Sequence, residues 1–465
     1  MSKATAVRQL APGRLGLLTG RFHVFRSPTA SGSNSKAPGQ PLVRLQEPSG
    51  SLRQSGMAGI VDLGQRVFFP IGYPVSVTPN YTDYVKFSVC QVFTQKISSL
   101  LATQAMLLSV GVGKASLPMA AVVNWILKDG IGQLGSVIFG AAVNRNFDCE
   151  AKRFRLYAVG LGQIANLFSI ITLSYPGLFL FWSALGSACS RISVTATVAS
   201  RARIQKNFSL WGNLADLMRC NTAQSSGAQL AGTAAGACLA PCIGKEVVNV
   251  VGVWIPCGFV SVACCYAAVN TVRMTTFNRQ RAEMVFGGIV AHLSSGAQGP
   301  LPQPPSVEDI GRLETFVVPY RSRYASTPIV INASLEKVQG VLGTSEKLAD
   351  AMKKERFACV KGSGGVYLWY AHDVSAEQEI EGFFEALLLC NGVSWRDSAK
   401  MRKKYFKRIC KDLVSKGWEL DSAYLDQNPR MRLEVLDDDK SDGNSDLPVW
   451  GPQPGLFMKY VPTGG

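Results

Sequence analysis

Histidine, acidic side chains and paired cysteine motifs are all scarce in this chain. Three histidines occur in 465 residues, His23, His292 and His372, in three separate regions. Twelve cysteines are present, but no Cys-x-x-Cys pair. Cys238, Cys242, Cys257, Cys264 and Cys265 stand inside apolar stretches, where cysteine behaves as a small hydrophobe. This spacing argues against a zinc site and against a disulfide framework. No Ser-His-Asp, Cys-His or paired-carboxylate constellation is visible, so no catalytic residue and no metal ligand is assigned. Charge is also scarce, at 17% of residues against about 25% in an average soluble protein. The deficit is local: residues 156–190, 220–244 and 247–272 contain no charged side chain. The last of these runs is 26 residues long, and about 20 apolar residues cross a bilayer as a helix. Membrane insertion is the expectation. A large soluble helical core is the alternative, because residues 220–244 are rich in Gly, Ala and Ser.

The first 46 residues contain no Asp or Glu but seven Lys/Arg, with frequent Ser, Gly and Pro. That is the composition of an organelle transit peptide, or of a disordered basic tail. Mitochondrion and plastid are not separated by it. The net charge of +16 raises the possibility of nucleic acid, but the basic residues are dispersed between apolar segments. The expected partner is a lipid membrane, with no nucleic acid.

Six hydrophobic helices are expected near 95–113, 117–143, 156–174, 177–200, 225–243 and 247–271. Between them, Arg145, Lys152, Arg153 and Arg155, then Arg201, Arg203, Lys206 and Arg219, then Arg273, Arg279 and Arg281 fall in alternate connections. The other connections hold only Lys114 and Lys245. This is the pattern of the positive-inside rule. The second helix carries Lys128 and Asp129, followed by Gly130, Gly132 and Gly135. Charges at membrane depth either line a polar cavity beside a broken helix or snorkel to an interface. Arg191 poses the same question. Gly130, Gly132 and Gly135 also spell GxGxxG, but no second strand with a terminal acid follows, so a dinucleotide site is not expected. Gly232 and Gly236 form a GxxxG that permits close helix packing.

Residues 294–308 read as a Pro/Gly/Ser linker. Beyond it come a strand at 328–333, helix at 335–354, a hairpin over 357–361 and 366–371, an acidic helix at 376–390, a basic amphipathic helix at 398–416, and a strand near 431–435. The fold class expected is mainly α: a polytopic helical membrane domain of about six helices, then a soluble α+β domain. The expected divisions are 1–56 arm, 57–290 membrane domain, 291–310 linker, 311–436 α+β domain and 437–465 tail.

Three runs carry a family resemblance: FPIGYPVSVTPNYTDY at 69–84, LLATQAMLLSVGVGKA at 100–115 and NWILKDGIGQLGSVIFG at 124–140. Together they resemble the opening signature of the root UVB sensitive (RUS) family. Its motif residues are here Pro70, Gly72, Tyr73, Pro74, Ser76, Pro79 and Tyr81. The likeness continues through Arg201, Phe208, Asn213, Ala215, Asp216 and Gln224. The resemblance implies a link to vitamin B6 homeostasis and to plant organelles, with no established reaction. Asn80, Lys114, Asn207 and Ser225 depart from the family pattern, which removes several carboxylates and implies divergent activity if those groups carry protons or cations.

Candidate cavity or binding residues are Lys114, Asn124, Lys128, Asp129, Arg191, Arg201, Asp216 and Gln224; the cofactor is unassigned. Three functions stay open. The first is non-enzymatic transport or homeostasis of a small molecule linked to vitamin B6, in an organelle membrane. The second is a membrane-anchored assembly protein, partnered by another RUS-type protein or a second copy. The third is an enzyme on a pyridoxal-type or nucleotide substrate, with Lys114 or Lys128 as Schiff-base lysine and Arg201, Arg203 and Lys206 meeting phosphate.

Overall fold

A computed structural model describes residues 57–111, 119–143, 146–333, 352, 354–362, 364–426, 432–436 and 457–461. The arm over 1–56, Lys114, Arg145, most of the helix expected at 335–354 and most of the tail lie outside the described residues. Helix α1 (Met57–Phe68) belongs to a unit ending at Val67; the chain from Phe68 onward forms a second unit.

Six long helices dominate the second unit: α2 (Tyr81–Val110), α3 (Met119–Val143), α5 (Ala151–Ser174), α6 (Phe179–Phe208), α7 (Leu214–Ile243) and α8 (Val247–Thr271), with the short α4 (Asn146–Cys149) before α5. Four of them reach beyond the apolar runs. α2 begins at Tyr81, ahead of its hydrophobic span at 95–113 and close to the lead-in expected from Asp83; α5 begins at Ala151 rather than 156 and α7 at Leu214 rather than 225, while α6 continues to Phe208 rather than 200. The polar turns stay helical because their side chains find partners inside the protein. Lys152, Arg153, Arg155 and Arg203 are buried, not exposed in basic loops as their sequence positions suggested.

Contacts between helices fix their directions. Gln91 of α2 meets Arg155 of α5, and Ser109 meets Thr172, so these two run parallel. Ser193 of α6 meets Ala158 of α5, while Gly186 packs on Ala165 and Ser169, so α6 runs opposite to α5. Trp125 stacks on Phe179 and Ser136 bonds Thr195, so α3 runs with α6. Gly232 and Gly236 of α7 lie on Phe93 and Leu100 of α2, again parallel. Ser261 of α8 bonds the Gln91 carbonyl, whereas Val250 packs near Ile97 and Leu101, so α8 is antiparallel to α2. Taken in order, the six helices alternate in direction. One end of the bundle therefore collects the starts of α2, α5 and α7 and the finishes of α6 and α8, and with them most of the basic residues.

Among the described residues, three helical segments are long and apolar enough to cross a membrane: Ala151–Ser174, Pro176–Phe208 and Val247–Thr271. Large apolar side chains face outward on several helices, including Leu134, Val137 and Ile138 of α3, Leu230 of α7, and Val248 and Phe259 of α8.

Described residues of the C-terminal part meet the basic end: Glu314 pairs with Lys152, the Val318 carbonyl accepts from Arg153, and Tyr424 lies under Arg203. β1 (Phe277–Asn278) leads into α9 (Arg279–Ser294), followed by α10 (Val307–Leu313), β2 (Ile329–Ile331), β3 (Phe357–Gly362), β4 (Gly365–Tyr370), α11 (Ala376–Cys390), α12 (Trp395–Ser415), β5 (Ala423–Tyr424), β6 (Arg432–Leu436) and β7 (Phe457–Val461). The sheet order is β2-β4-β3, with β2 parallel and β3 antiparallel to β4; β1 pairs β5 in parallel, and β6 pairs β7 in antiparallel fashion. Ser306 with Asp309, and Ser375 with Gln378, close capping boxes at the starts of α10 and α11. The sequence division at 290 put α9 with the membrane helices. Its apolar face instead enters one core with α11, α12 and the sheet, where Phe286, Phe383, Phe384, Ile409 and Trp418 are buried. The first two turns of α9 are buried nearly all round, Arg281 and Glu283 included, and exposure is confined to Gly288, Ala291 and Ser294 further along.

Candidate functional site

The family motif forms a loop at the basic end. The Tyr73–Pro74 peptide bond is cis, and Gly72 adopts φ +78°. A Cβ on Gly72 would lie 2.6 Å from the Trp211 ring, so glycine is required both by conformation and by space. Ser76 and Val77 run beside the α6–α7 connection: Leu210 N donates to the Ser76 carbonyl, and Thr78 N donates to that of Phe208. Pro79 precedes Asn80 and the buried Tyr81, which opens α2.

Two sequence candidates hold this loop. Asp216, in the first turn of α7, accepts the Ile71 amide at 2.7 Å, one residue past Pro70, and is bracketed by Arg219 at 2.8 Å. Gln224 donates to the Phe68 carbonyl at 2.6 Å and to the Tyr81 hydroxyl at 3.4 Å. Tyr81 and Tyr84 both pack on Phe208, with ring centroids 5.5 and 5.0 Å apart. Asn207 donates to the Arg273 carbonyl and accepts from Thr275 N, bonds that fasten α6 to the chain leaving α8.

Below this loop a seam of polar side chains runs between α2, α5, α6, α7 and α8. Arg155 is 3% exposed. It donates to Gln91 Oε1 at 2.9 Å and to Thr197 Oγ1 at 3.2 Å. Arg201 donates to Ser225 Oγ at 3.4 Å and lies in the electrostatic field of Arg155, Tyr84 and Cys265. Gln91 bonds Gln95, and Ser193 and Ser261 continue the seam. Among the described residues, neither arginine has a carboxylate partner. Gln91 and Thr197 were missed in the sequence because each looked like an ordinary helix residue; Arg155 was read as part of a basic connection, and Ser225 only as a departure from the family pattern. The one available signal was the recurrence of Gln and Ser on otherwise apolar helices.

The remaining candidates stand elsewhere. Lys128 is buried on α3, 2.8 Å from Asp129 and over the Trp125 ring at 4.2 Å. Half-buried Asn124 lies one turn before it. Since Trp125 faces Phe179 and Gly132 faces Ser187, Lys128 sits near the end of the bundle remote from the seam. Arg191 is exposed about halfway along α6. Lys128 pairs with Asp129, and among the described residues no hydrogen bond or ion pair joins either to Arg191.

A second charged cluster joins the bundle to the C-terminal elements. Glu314 takes Lys152 and Arg281 on its two oxygens, each at 2.6 Å. Burial alone would raise the Glu314 carboxyl, but these two cations bring it down to about 2. Arg203 bonds Thr276 and stacks on Tyr424 at 4.3 Å. Lys152, Arg153, Arg203 and Arg281 line a cleft of about 10 Å³, the room of roughly one water molecule. It has lysine and arginine together, as an enzyme reading asked, but Lys152 is neutralised by Glu314 and there is no space for a substrate. Among the described residues, no cluster of His, Cys, Asp and Glu is suited to a metal ion.

A family model described as "Vitamin B6 photo-protection and homoeostasis domain" matches residues 54–292. The chain is 27% identical over 373 residues to "Protein root UVB sensitive 2, chloroplastic" of Arabidopsis thaliana, covering 77% of this chain and 82% of the relative. It is 26% identical over 385 residues to "Protein root UVB sensitive 3" of the same plant, with the same coverage of 77% and 82%. "RUS family member 1" of Dictyostelium discoideum is 28% identical over 265 residues, which is 56% of this chain and 49% of that protein. No solved structure matches. The domain takes in the motif loop, the six long helices and the polar seam, and on that match the chain belongs to the root UVB sensitive family.

Proposed function

We propose that the protein is an integral organelle membrane protein that moves or retains a small molecule of the vitamin B6 class, without chemical conversion. The observation that carries this reading is the seam itself: buried Arg155, Gln91, Ser193, Ser225 and Ser261 with half-buried Arg201, lying between five helices of a bundle whose outer faces carry apolar side chains. A polar interior within an apolar exterior is the arrangement that carries a polar solute past lipid. The B6 class comes from the domain that the chain contains. The basic arm over 1–56 supplies the organelle address, mitochondrial or plastid; one relative is named chloroplastic. The test is reconstitution of the full-length chain in liposomes loaded with labelled pyridoxine, pyridoxal or pyridoxal 5′-phosphate. Efflux above that of empty liposomes is expected for at least one vitamer. Carbonate-resistant, correctly inserted protein with no efflux of any of them overturns the reading.

One observation favours a second reading, a membrane-anchored assembly protein. Arg191 is exposed on α6 between the apolar Leu185 and Val194, and a charge facing lipid is costly. A second copy, or another RUS-type protein, would cover it. Cross-linking through a cysteine at position 194 would detect that neighbour, and exclusively monomeric protein in native membranes would rule it out.

A further inference from the structure

We propose that Arg155 and Arg201 form a binding site for a phosphate monoester group, an inference that rests on the solute-handling reading above. The two guanidinium groups come from antiparallel helices and lie one to two turns in from the basic end, beneath the motif loop. Each carries five N–H donors. Arg155 uses two of them on neutral oxygens, Gln91 Oε1 and Thr197 Oγ1, and Arg201 uses one on Ser225 Oγ. Arg201 Nε is buried without a partner. So is the hydroxyl of Tyr84, which is 1% exposed and shares the field of Arg201. Other arginines in the unit show how the fold treats a cation that is only structural. Arg153 faces Glu150, Arg281 faces Glu314, Arg219 faces Asp216, and Arg402 is met by Glu355, Glu381 and Glu385. Arg155, which is buried, and Arg201, which is half-buried, bond only neutral neighbours; Arg203, held by Thr276 and Tyr424 at the C-terminal elements, is a further buried arginine of that kind.

Two like charges, one buried and one half-buried, are stabilised by a counter-charge. The group that suits them is planar-fork recognisable, doubly charged and rich in acceptors, and a phosphate monoester has all three properties. Arg155 and Arg201 would each present a fork to it, and Tyr84 a hydroxyl donor. Such a group could arrive on a soluble ester or on the headgroup of phosphatidic acid.

The test uses full-length protein in detergent and four probes: inorganic phosphate, pyridoxal 5′-phosphate, pyridoxal, and phosphatidic acid in mixed micelles. Binding is read by equilibrium dialysis and by the shift in Tm. The expected result is that the phosphate-bearing probes bind and raise Tm, while pyridoxal does neither. Arg201→Gln should weaken phosphate binding by about tenfold or more, and Arg201→Lys, which keeps the charge but loses the fork, by less. Lys400→Gln, an exposed side chain on α12 outside the helical bundle, should change nothing. Preference for phosphatidic acid over pyridoxal 5′-phosphate, still dependent on Arg201, supports the site and removes the B6 assignment. Wild-type protein that binds no phosphate probe overturns the proposal whatever the variants do. So does phosphate binding that Arg201→Gln leaves intact.

Discussion

Lys152 Nζ lies 2.6 Å from Glu314 Oε2, and the two side chains are 3% and 4% exposed. They are 162 residues apart in sequence. This contact ties the first turn of α5 to the segment after α10, and Arg281 completes it on the other carboxylate oxygen. The basic residues at this end are thus the fastening between the bundle and the C-terminal elements.

Stability should therefore depend on acid through Glu314. Its carboxyl is brought from 4.5 down to about 2 in the folded protein. A depressed carboxylate stabilises the fold above its unfolded value, and that contribution fades as pH falls through the folded one. Between about pH 5 and pH 2 the wild type should lose Tm progressively. Glu314→Gln should flatten that limb. It should also cost about 3–5 kcal/mol near neutrality, because two buried cations lose their counter-charge. Thermal unfolding against pH, for both proteins in detergent, reads this directly.

The two glycines of the GxxxG differ in what they tolerate. A Cβ on Gly232 would come 2.6 Å from the Phe93 carbonyl of α2, whereas one on Gly236 meets only the Leu100 side chain at 3.4 Å or more. Gly232→Ala should destabilise by about 1–3 kcal/mol, as overpacking does. Gly236→Ala should stay within about 0.5 kcal/mol of wild type. Equal Tm values for the two variants would contradict this close approach of α7 to α2.

Gly72→Ala meets two obstacles, the Trp211 ring and a φ of +78°. A cost of about 1–3 kcal/mol is expected from the left-handed backbone alone. Removing the ring with Trp211→Ala should not restore the double variant to the stability of Trp211→Ala alone. Full restoration would show that space, and not backbone conformation, sets the requirement.

Lys128 and Asp129 neutralise each other beside Trp125. Asp129→Leu should harm the protein more than Lys128→Met with Asp129→Leu, since the single change leaves a buried ammonium without its carboxylate. Because Asp129 is 46% exposed, the coupling should be modest, about 1 kcal/mol or less. Independent, additive effects in a double-mutant cycle would remove the pairing.

The elements themselves were largely legible in the sequence. Uncharged runs marked α5, α6, α7 and α8. GSGG between two apolar runs marked the β3–β4 hairpin, and the acidic amphipathic run at 376–390 marked α11. These signals are local, since helix and turn formation depend on residues a few positions apart. The motif residues Pro70, Gly72, Tyr73, Pro74, Ser76, Pro79 and Tyr81 were also legible, but not that Asp216 and Gln224 hold them. The destination of each basic residue was decided by the tertiary structure. Lys152, Arg153 and Arg155 are consecutive in type and close in sequence, yet one pairs with Glu314, one with Glu150 and the Val318 carbonyl, and one only with Gln91 and Thr197. Composition made all three look like a solvated basic loop. A charge is stabilised by whatever lies within a few ångströms in space, and those neighbours are up to 165 residues away along the chain.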